Sequence, residues 1–275
     1  NLRNSQREDG AYPDIAPYNN FWGYGTAAWG DAGVILPWTV YEMTGDRTIL
    51  EENYASMTRY MQWLSTQEET VEGKRYTHIG AGTATGDWLA YAPNESRYVS
   101  MAYYAYVAQL MDSISATLGK QREAESYRAL YADIRQEFQQ RYMLPDGSLR
   151  EHTQTAYLLA LRFDLLPEQH RAAARQALRR LIEENDYCLS TGFVGTGILC
   201  STLTDEGMND LAYALLLQRK NPSWLYSIDQ GATTVWERWD SMREDGSIPD
   251  NGMNSFNHYA YGSIGDWLYR SAVGI

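Results

Sequence analysis

Apolar residues recur at every third or fourth position through much of the chain, which is the spacing of an amphipathic helix. The clearest case is 47–66, whose apolar face would consist of Leu50, Tyr54, Met57, Met61 and Leu64. The same spacing recurs over 98–118 and over 121–141, on either side of Gly119. These two segments therefore predict a helical hairpin that turns at the glycine.

Other segments with helical patterning fill most of the remaining chain. They are 26–44, 152–165, 168–185, 193–203, 206–218 and 254–272. Alternation of apolar and polar residues, which indicates a β-strand, is scarce. Its one candidate is 74–80, which predicts at most one arm of a small hairpin. The segment 221–230 is interpreted as a loop. The chain therefore predicts an all-α fold with roughly ten helices.

Charged helical segments alternate with segments that are rich in small and aromatic residues. The charged segments 121–141 and 168–185 follow 98–118 and 152–165, which are of the second type. A charged helix buries one face, whereas a helix of the second type buries most of its surface. The alternation predicts a ring of hairpins with inner and outer helices, whose loops form a pocket at the mouth of the ring.

Composition and charge narrow the range of partners. The net charge is −12 and no long run of Lys or Arg occurs, so neither a nucleic acid nor an anionic membrane is expected as a partner. No apolar run reaches the roughly 20 residues of a membrane span. The two cysteines, Cys188 and Cys200, are too few for a disulfide framework and predict buried thiols.

Several chemistries lack their motifs in this sequence. The glycine-rich stretch 192–197 lacks the setting of a dinucleotide-binding loop, and the acidic stretch 243–252 lacks the spacing of a calcium loop and indicates a turn. The remaining signal is carboxylates beside tryptophans, as for Glu237 in "VWERWDS". An indole can pack against a sugar ring while carboxyl groups move protons, so glycoside hydrolysis is the leading hypothesis.

Six motifs then resemble one family over nearly the whole chain. They are "DGAYPDIAP", "AWGDAGVILPWTVYEMTGD", "GDWL", "STGFVGTGIL", "GATTVWERWDS" and "MNSFNHYAYGSIGDWLYR". In this order they are similar to the bacterial α-L-rhamnosidases of glycoside hydrolase family 78. The resemblance implies a single (α/α)6 barrel domain over 1–275. It also implies inverting hydrolysis of terminal non-reducing α-L-rhamnose, with no metal or cofactor.

The same resemblance assigns roles to individual residues. Glu237 matches the general base that activates water. The sugar-contacting positions correspond to Trp29 in "AWGDA", Trp88 in "GDWL" and His258 in "FNHYA". Their neighbours, less firmly matched, are Asp31, Asp87 and Asn257. Trp236 is a further candidate for sugar binding. For both Trp236 and Trp239, however, a place in the buried core is an equally good explanation.

The sequence departs from the family pattern where the general acid is expected. That acid lies in a segment of the type D-x-x-x-R-D-E-R-x-G-W-x-G-D, which should precede "DGAYPDIAP". The opening "NLRNSQREDG" has an R-E-D run without the Gly-Trp and Gly-Asp, so Glu8 and Asp9 are poor substitutes. We therefore expect the acid upstream, and a barrel that lacks about one N-terminal hairpin here. Such a barrel exposes inner-helix surface, and a homo-oligomer is one way to cover it.

Three alternatives stay open at this point. Glu237 could be a structural carboxylate that pairs with Arg238. The chain could be an inactive, sugar-binding relative of the same fold, or another (α/α)6 glycosidase, which "NSFNHYAYG" argues against. The group that carries the rhamnose is also open, since flavonoid glycosides and pectic oligosaccharides both present a terminal rhamnose. The sequence leaves the cellular compartment undetermined.

Overall fold

A computed structural model describes residues 1–81, 86–250 and 253–275. Two compact units form: Asn1–Gly86 with Glu95–Met143, and Asp87–Asn94 with Leu144–Ile275. The end of the acidic stretch 243–252, at residues 251 and 252, lies outside the described residues. One domain over 1–275 stays a prediction.

The described part of the first unit contains a 3₁₀ turn (Arg3–Ser5), four α-helices and one hairpin of strands. Its elements are α1 (Ala32–Thr44), α2 (Thr48–Leu64), β1 (Glu69–Val71), β2 (Lys74–Tyr76), α3 (Ser96–Thr117) and α4 (Gln121–Tyr142). The predicted helical hairpin is confirmed, since α3 and α4 pack together and Gly119 between them has a φ of 74°. Most of α3 is buried, whereas α4 buries few residues, as the alternation predicts.

In the described part of the second unit, the regular structure consists of helices. Its helices are α5 (Gln154–Arg162), α6 (Glu168–Glu184), α7 (Phe193–Asp205), α8 (Asn209–Leu216), α9 (Trp224–Asp229) and α10 (Ile264–Trp267), which a π-helical turn (Leu268–Val273) continues. Nearly every residue of α5 is buried, whereas α6 buries one narrow face. Cys188 and Cys200 are free and buried, which confirms that they are core thiols.

The structure differs from the sequence prediction in four segments. Residues 26–31 form a loop before α1, and residues 254–259 form a loop before a 3₁₀ turn (Ala260–Ser263) and α10. The segment 221–230, interpreted as a loop, contains α9, whose cap Ser223 accepts a hydrogen bond from the backbone N–H of Tyr226 at 3.1 Å. The predicted arm at 74–80 is confirmed only over β2, which pairs antiparallel with β1.

The described part of the chain forms ten α-helices and one two-stranded sheet, which confirms the all-α prediction. In those same residues, no helix is both long enough and apolar enough to span a bilayer. Nor do the described residues gather three or more His, Cys, Asp or Glu side chains in an arrangement that could hold a metal ion.

Candidate active site

The start of α7 is fixed by a short segment that carries two of the predicted site residues. The first four backbone N–H groups of a helix have no partner within the helix. Here all four donate to Asp87 and Trp88. The Asp87 carboxylate accepts from the N–H groups of Gly192 at 2.8 Å, Val194 at 2.8 Å and Gly195 at 3.3 Å, and the Trp88 carbonyl oxygen accepts from Phe193 at 2.9 Å.

Asp87 is committed to this cap rather than open to a ligand. Its side chain is 3% exposed, and the Thr155 hydroxyl donates a fourth hydrogen bond to the carboxylate at 2.5 Å. Burial raises the pKa of Asp87, while the hydrogen bonds from Thr155 and from the backbone N–H groups of α7 oppose that rise. The geometry favours a role in which Asp87 holds Trp88 in place.

Glycines at the start of α7 make this close approach possible. A Cβ at Gly192 would lie 2.0 Å from the Trp88 carbonyl oxygen, and one at Gly195 would lie 2.3 Å from the Thr155 hydroxyl. The glycine-rich stretch 192–197 thus brings a protein carboxylate to a helix N-terminus, where a dinucleotide-binding loop would bring a phosphate.

Aromatic rings pack in sequence beside the same helix end. His258 lies on Phe193 with ring centroids 4.9 Å apart, and Phe193 meets the edge of Tyr261. Tyr261 stacks on Trp239 at 3.8 Å, and the Trp239 indole N–H donates to the Thr191 carbonyl oxygen at 3.0 Å. The sequence did not single out Phe193 or Tyr261. Their only signal is that they lie within the motifs "STGF" and "HYAY".

Tyr261 has one unusual property within this stack. Its hydroxyl oxygen is buried and has no hydrogen-bond partner among the described residues. Burial raises the pKa of Tyr261 far above its ordinary value, so the hydroxyl stays protonated.

The backbone of Glu237 is fixed by hydrogen bonds, whereas its carboxylate is not. Its N–H donates to the Ser255 carbonyl oxygen at 2.8 Å, and the N–H of His258 donates to the Val235 carbonyl oxygen at 2.8 Å. These two bonds tie the Glu237 segment to the His258 segment. Glu237 is 7% exposed, yet within the described part of the chain its carboxylate takes part in no hydrogen bond or ion pair.

If Glu237 were a structural carboxylate, it would need a partner, and none is found among the residues that the structure describes. Arg238 turns to Asp240, with 3.5 Å between nitrogen and oxygen, rather than to Glu237. The carboxylate oxygens of Glu237 are not sealed from solvent, so they can still contact water. A carboxylate that is largely buried, unpaired and open to water on one side is suited to proton transfer.

The remaining predicted residues of the second unit differ in exposure. The Nδ1 atom of His258 accepts a hydrogen bond from the Ala260 N–H at 3.2 Å, so the neutral ring carries its proton on Nε2. Asn257 is exposed. Trp236 is 5% exposed and meets the edge of Phe256, and Trp239 is 4% exposed. The burial of Trp236 and Trp239 favours the core role for both.

Trp29 and Asp31 lie in the first unit, on the loop before α1. Ala28 has a φ of 70°, which is unusual for a residue other than glycine, and its N–H donates to the Asp31 carboxylate at 2.7 Å. The Tyr60 hydroxyl donates to the other oxygen of Asp31 at 2.8 Å. Asp31 is 2% exposed, so it fixes the backbone next to Trp29, which is half-buried.

Burial also changes the acidity of Asp31. Loss of hydration raises the pKa of Asp31 to about 6, while the hydrogen bonds from Ala28 and Tyr60 oppose the rise and the nearby charge of Asp14 adds to it. Asp14 itself accepts hydrogen bonds from the N–H and the hydroxyl of Thr26, at 2.8 and 2.6 Å. That Trp29 and Asp31 contact the sugar stays a prediction.

The two carboxylates near the start of the chain do not suit a general acid. Asp9 forms two hydrogen bonds with the Arg7 guanidinium, at 2.8 and 2.6 Å. The bond from Arg7 lowers the pKa of Asp9, which keeps the group deprotonated. Glu8 is exposed. A general acid must carry a proton at working pH, so this geometry agrees with the view that both residues are poor substitutes.

Solved structures and curated proteins similar to this chain are α-L-rhamnosidases. The alpha-L-rhamnosidase of Streptomyces avermitilis is 42% identical over the whole chain, which spans 26% of that protein, and that of Formosa agariphila is 38% identical, with 30% spanned. A crystal structure of the Streptomyces enzyme complexed with L-rhamnose matches with a TM-score of 0.93. Native alfa-L-rhamnosidase from Aspergillus terreus is 34% identical, with a TM-score of 0.86 over 98% of this chain and 32% of its own.

The chain therefore spans less than a third of the length of each of these relatives. Residues 1–272 match the family described as the bacterial alpha-L-rhamnosidase 6 hairpin glycosidase domain. The six-hairpin domain of the related structures is an (α/α)6 barrel, which confirms the predicted fold class. The chain belongs to the bacterial α-L-rhamnosidase six-hairpin glycosidase family.

Proposed function

We propose that the protein containing this chain hydrolyses terminal α-L-rhamnosides and that Glu237 is its general base. The observation that carries the proposal is the Glu237 carboxylate, which is largely buried and has no partner within the described residues. Family membership supports the choice of sugar, as do relatives named alpha-L-rhamnosidase and a related structure complexed with L-rhamnose.

The proposed reaction inverts the configuration at the anomeric carbon. Glu237 takes a proton from a water molecule, and that water attacks the carbon on the face opposite the leaving group. A base for this step must be ionised, within reach of water and not neutralised by a cation. Glu237 meets the last two conditions, because its oxygens touch solvent and Arg238 pairs with Asp240 instead.

Neighbouring groups of the second unit would bind and orient the sugar. The Nε2–H of His258 can donate to a sugar hydroxyl, because Nδ1 already accepts the Ala260 N–H. The exposed amide of Asn257 and the half-buried ring of Trp88 offer a polar and an apolar contact. In this proposal Asp87 does not touch the sugar, because its carboxylate is fully used in holding Trp88 and α7.

The general acid is proposed to come from a part of the protein outside these 275 residues. In an inverting glycosidase the two carboxyl groups are about 6.5–9.5 Å apart, which leaves room for the water. The Asp87 carboxylate caps α7, and the Asp9 carboxylate is bound by Arg7, so neither is proposed as the acid. The much greater length of the relatives is consistent with an acid on another segment.

The test measures hydrolysis by the complete protein and by its Glu237→Gln variant. We expect turnover of para-nitrophenyl α-L-rhamnoside to fall about a thousandfold, with KM changed only a few-fold, since the change removes a base but little binding surface. Glu184→Gln is the matched control, because this carboxylate is exposed on α6. Near-normal turnover by Glu237→Gln would end the assignment.

The same preparation separates the enzyme from an inactive sugar-binding relative. Proton NMR of the first product should show β-L-rhamnose, because inversion of an α-linkage gives the β-anomer. α-L-Rhamnose as first product would refute the inverting mechanism. If the unchanged protein binds L-rhamnose and hydrolyses none of its aryl glycosides, the inactive relative is the correct interpretation.

A further inference from the structure

Two residues with an unusual backbone conformation lie beside the tryptophans that are predicted to contact the sugar. Ala28, which precedes Trp29, has a φ of 70°, and Leu89, which follows Trp88, has a φ of 62°. A positive φ is unfavourable for a residue that carries a Cβ atom, and glycine normally occupies such positions. The reaction proposed above gives neither residue a role.

Elsewhere in the described part of the chain, the non-glycine residues with a positive φ have local explanations. Three of them are asparagine or aspartate, which adopt this conformation more readily than other side chains. Of the other two, one lies in the β1–β2 turn and one follows the end of α6, where a left-handed residue is common. Neither explanation applies to Ala28 or Leu89. The five other residues are Asn20, Asp164, Asp186, Glu72 and Tyr187.

Ala28 occupies the third position of a four-residue turn, 26–29. The Trp29 N–H closes this turn by donating to the Thr26 carbonyl oxygen at 3.0 Å. The Ala28 N–H donates to the buried Asp31 carboxylate at 2.7 Å. Turns with a positive φ at the third position normally have glycine or asparagine there. Hydrogen bonds thus hold an alanine in a conformation that its own preference opposes, directly before the indole.

Leu89 occupies the same third position in the turn 87–90. The Ala90 N–H closes this turn by donating to the Asp87 carbonyl oxygen at 3.1 Å. The Asp87 carboxylate and the Trp88 carbonyl oxygen are themselves bound by N–H groups at the start of α7. Each unit therefore contains the same arrangement, in which a buried aspartate and a closed turn enforce a positive φ beside a half-buried tryptophan.

The Cβ atom restricts how far each turn can move. A residue with a side chain has only a small left-handed region, whereas glycine has a wide range of φ on both sides of zero. A fixed φ at Ala28 or Leu89 fixes the direction of the chain at the neighbouring tryptophan, and with it the direction of the indole. Backbone strain of this kind persists only where the surrounding contacts enforce it, and it is concentrated at functional sites.

We propose that Ala28 and Leu89 are positioning residues, which hold the rings of Trp29 and Trp88 in the orientation that binds rhamnose. The inference rests on the proposed function and on the predicted sugar contact of each ring. A ring that is already oriented needs no ordering when the ligand binds, which favours affinity. With glycine at either position the ring samples further orientations. The observed Kd then equals the intrinsic Kd divided by the fraction of molecules in the binding orientation.

The test uses the complete protein and measures the Kd of L-rhamnose by isothermal titration calorimetry, KM and kcat for para-nitrophenyl α-L-rhamnoside, and Tm. If glycine leaves the ring in the binding orientation for about a fifth of the time, Ala28→Gly and Leu89→Gly each raise Kd and KM about fivefold. We expect kcat to change by less than about twofold, since Glu237 is untouched. Tm should change little, because relief of strain opposes the greater freedom of glycine in the unfolded chain. A merely structural role would lower Tm without separating KM from kcat.

Two controls separate the backbone effect from other effects. Leu89→Ala removes most of the leucine side chain but keeps a Cβ atom, so the Kd of L-rhamnose should stay close to that of the unchanged protein. Glu72→Gly relieves a positive φ of 50° in the exposed β1–β2 turn, and it should also leave Kd unchanged.

The outcomes are distinct. The inference is wrong if both glycine variants bind L-rhamnose as tightly as the unchanged protein, if Leu89→Ala raises Kd as much as Leu89→Gly, or if Glu72→Gly raises Kd as much as Ala28→Gly. If the unchanged protein neither binds L-rhamnose nor hydrolyses its glycosides, the proposed function itself has failed, and this inference fails with it.

Discussion

The buried cap of α7 allows a specific prediction for Asp87→Asn. The carboxylate accepts four hydrogen bonds through two oxygens, from Thr155 and from the N–H groups of Gly192, Val194 and Gly195. Asparagine has the same shape but only one accepting oxygen. Whichever way the amide turns, its NH₂ group faces at least one N–H donor of the helix, so that donor loses its partner in a buried place.

The size of the effect follows from these contacts. A hydrogen bond to a charged group contributes about 1.5–3 kcal/mol, and a buried donor without a partner costs about 1–3 kcal/mol. Relief from burying the charge offsets part of this loss, since burial raises the pKa of Asp87. We expect a net loss of about 2–4 kcal/mol, which corresponds to a fall in Tm of roughly 5–10 °C for a unit of this size.

Two measurements check this prediction. Differential scanning calorimetry gives Tm, and hydrogen–deuterium exchange gives the protection of the amides at 192–195. The control is Asp46→Asn, because Asp46 accepts the Thr48 N–H at 2.9 Å at an exposed helix start, where Asn caps about as well as Asp. The reasoning is refuted if Asp87→Asn leaves both Tm and amide exchange unchanged, or if Asp46→Asn has an equal effect.

Two further predictions concern the start of α7 and the loop before α1. Gly195→Ala should lower Tm strongly, because the added Cβ would lie 2.3 Å from the Thr155 hydroxyl. Gly197→Ala on the same helix is the control and should change Tm little, because its Cβ would lie 3.9 Å from the nearest atom. Equal shifts in Tm would contradict the close packing at Gly195. The pKa of Asp31 is raised from 3.8 to about 6, so the free energy of unfolding should fall by about 3 kcal/mol as the pH rises from 4 to 6, and stay level above pH 6. Asp31→Asn should abolish this fall. Urea unfolding measures it, and parallel pH profiles for the unchanged protein and for Asp31→Asn would contradict the prediction.

Local sequence carries most of the fold. The helices α2, α3, α4, α5 and α6 lie within a few residues of their predicted bounds, because apolar spacing and the turn at Gly119 act over short distances. α9 was missed because it is six residues long and its only start signal is Ser223. Patterns of this length do not distinguish a helix from a loop.

The overextended helices have a different cause. Residues 26–31 and 254–259 have helix-like apolar spacing, but contacts with distant residues draw their backbones into loops. Thr26 is bound by Asp14, and the His258 N–H pairs with Val235. Such contacts override local preference, and both lie in loops that carry predicted site residues.

The sequence names candidate site residues, but it does not show their contacts. Motif resemblance identified Asp87, yet its carboxylate binds N–H groups more than a hundred positions away, such as that of Gly192 at a separation of 105 residues. Nothing in the local sequence indicates that pairing. The isolation of the Glu237 carboxylate likewise depends on where Arg238 turns, which only the fold decides.

The central claim, that Glu237 activates the attacking water, is tested most directly by chemical rescue. Glu237→Ala in the complete protein removes the base and leaves space beside the anomeric carbon. With dinitrophenyl α-L-rhamnoside, whose leaving group needs no protonation, we expect almost no turnover until azide is added, and then formation of β-L-rhamnosyl azide. Azide can attack without a base, and only from the face that the water used. Absence of rescue, or an α-linked azide, would contradict the account.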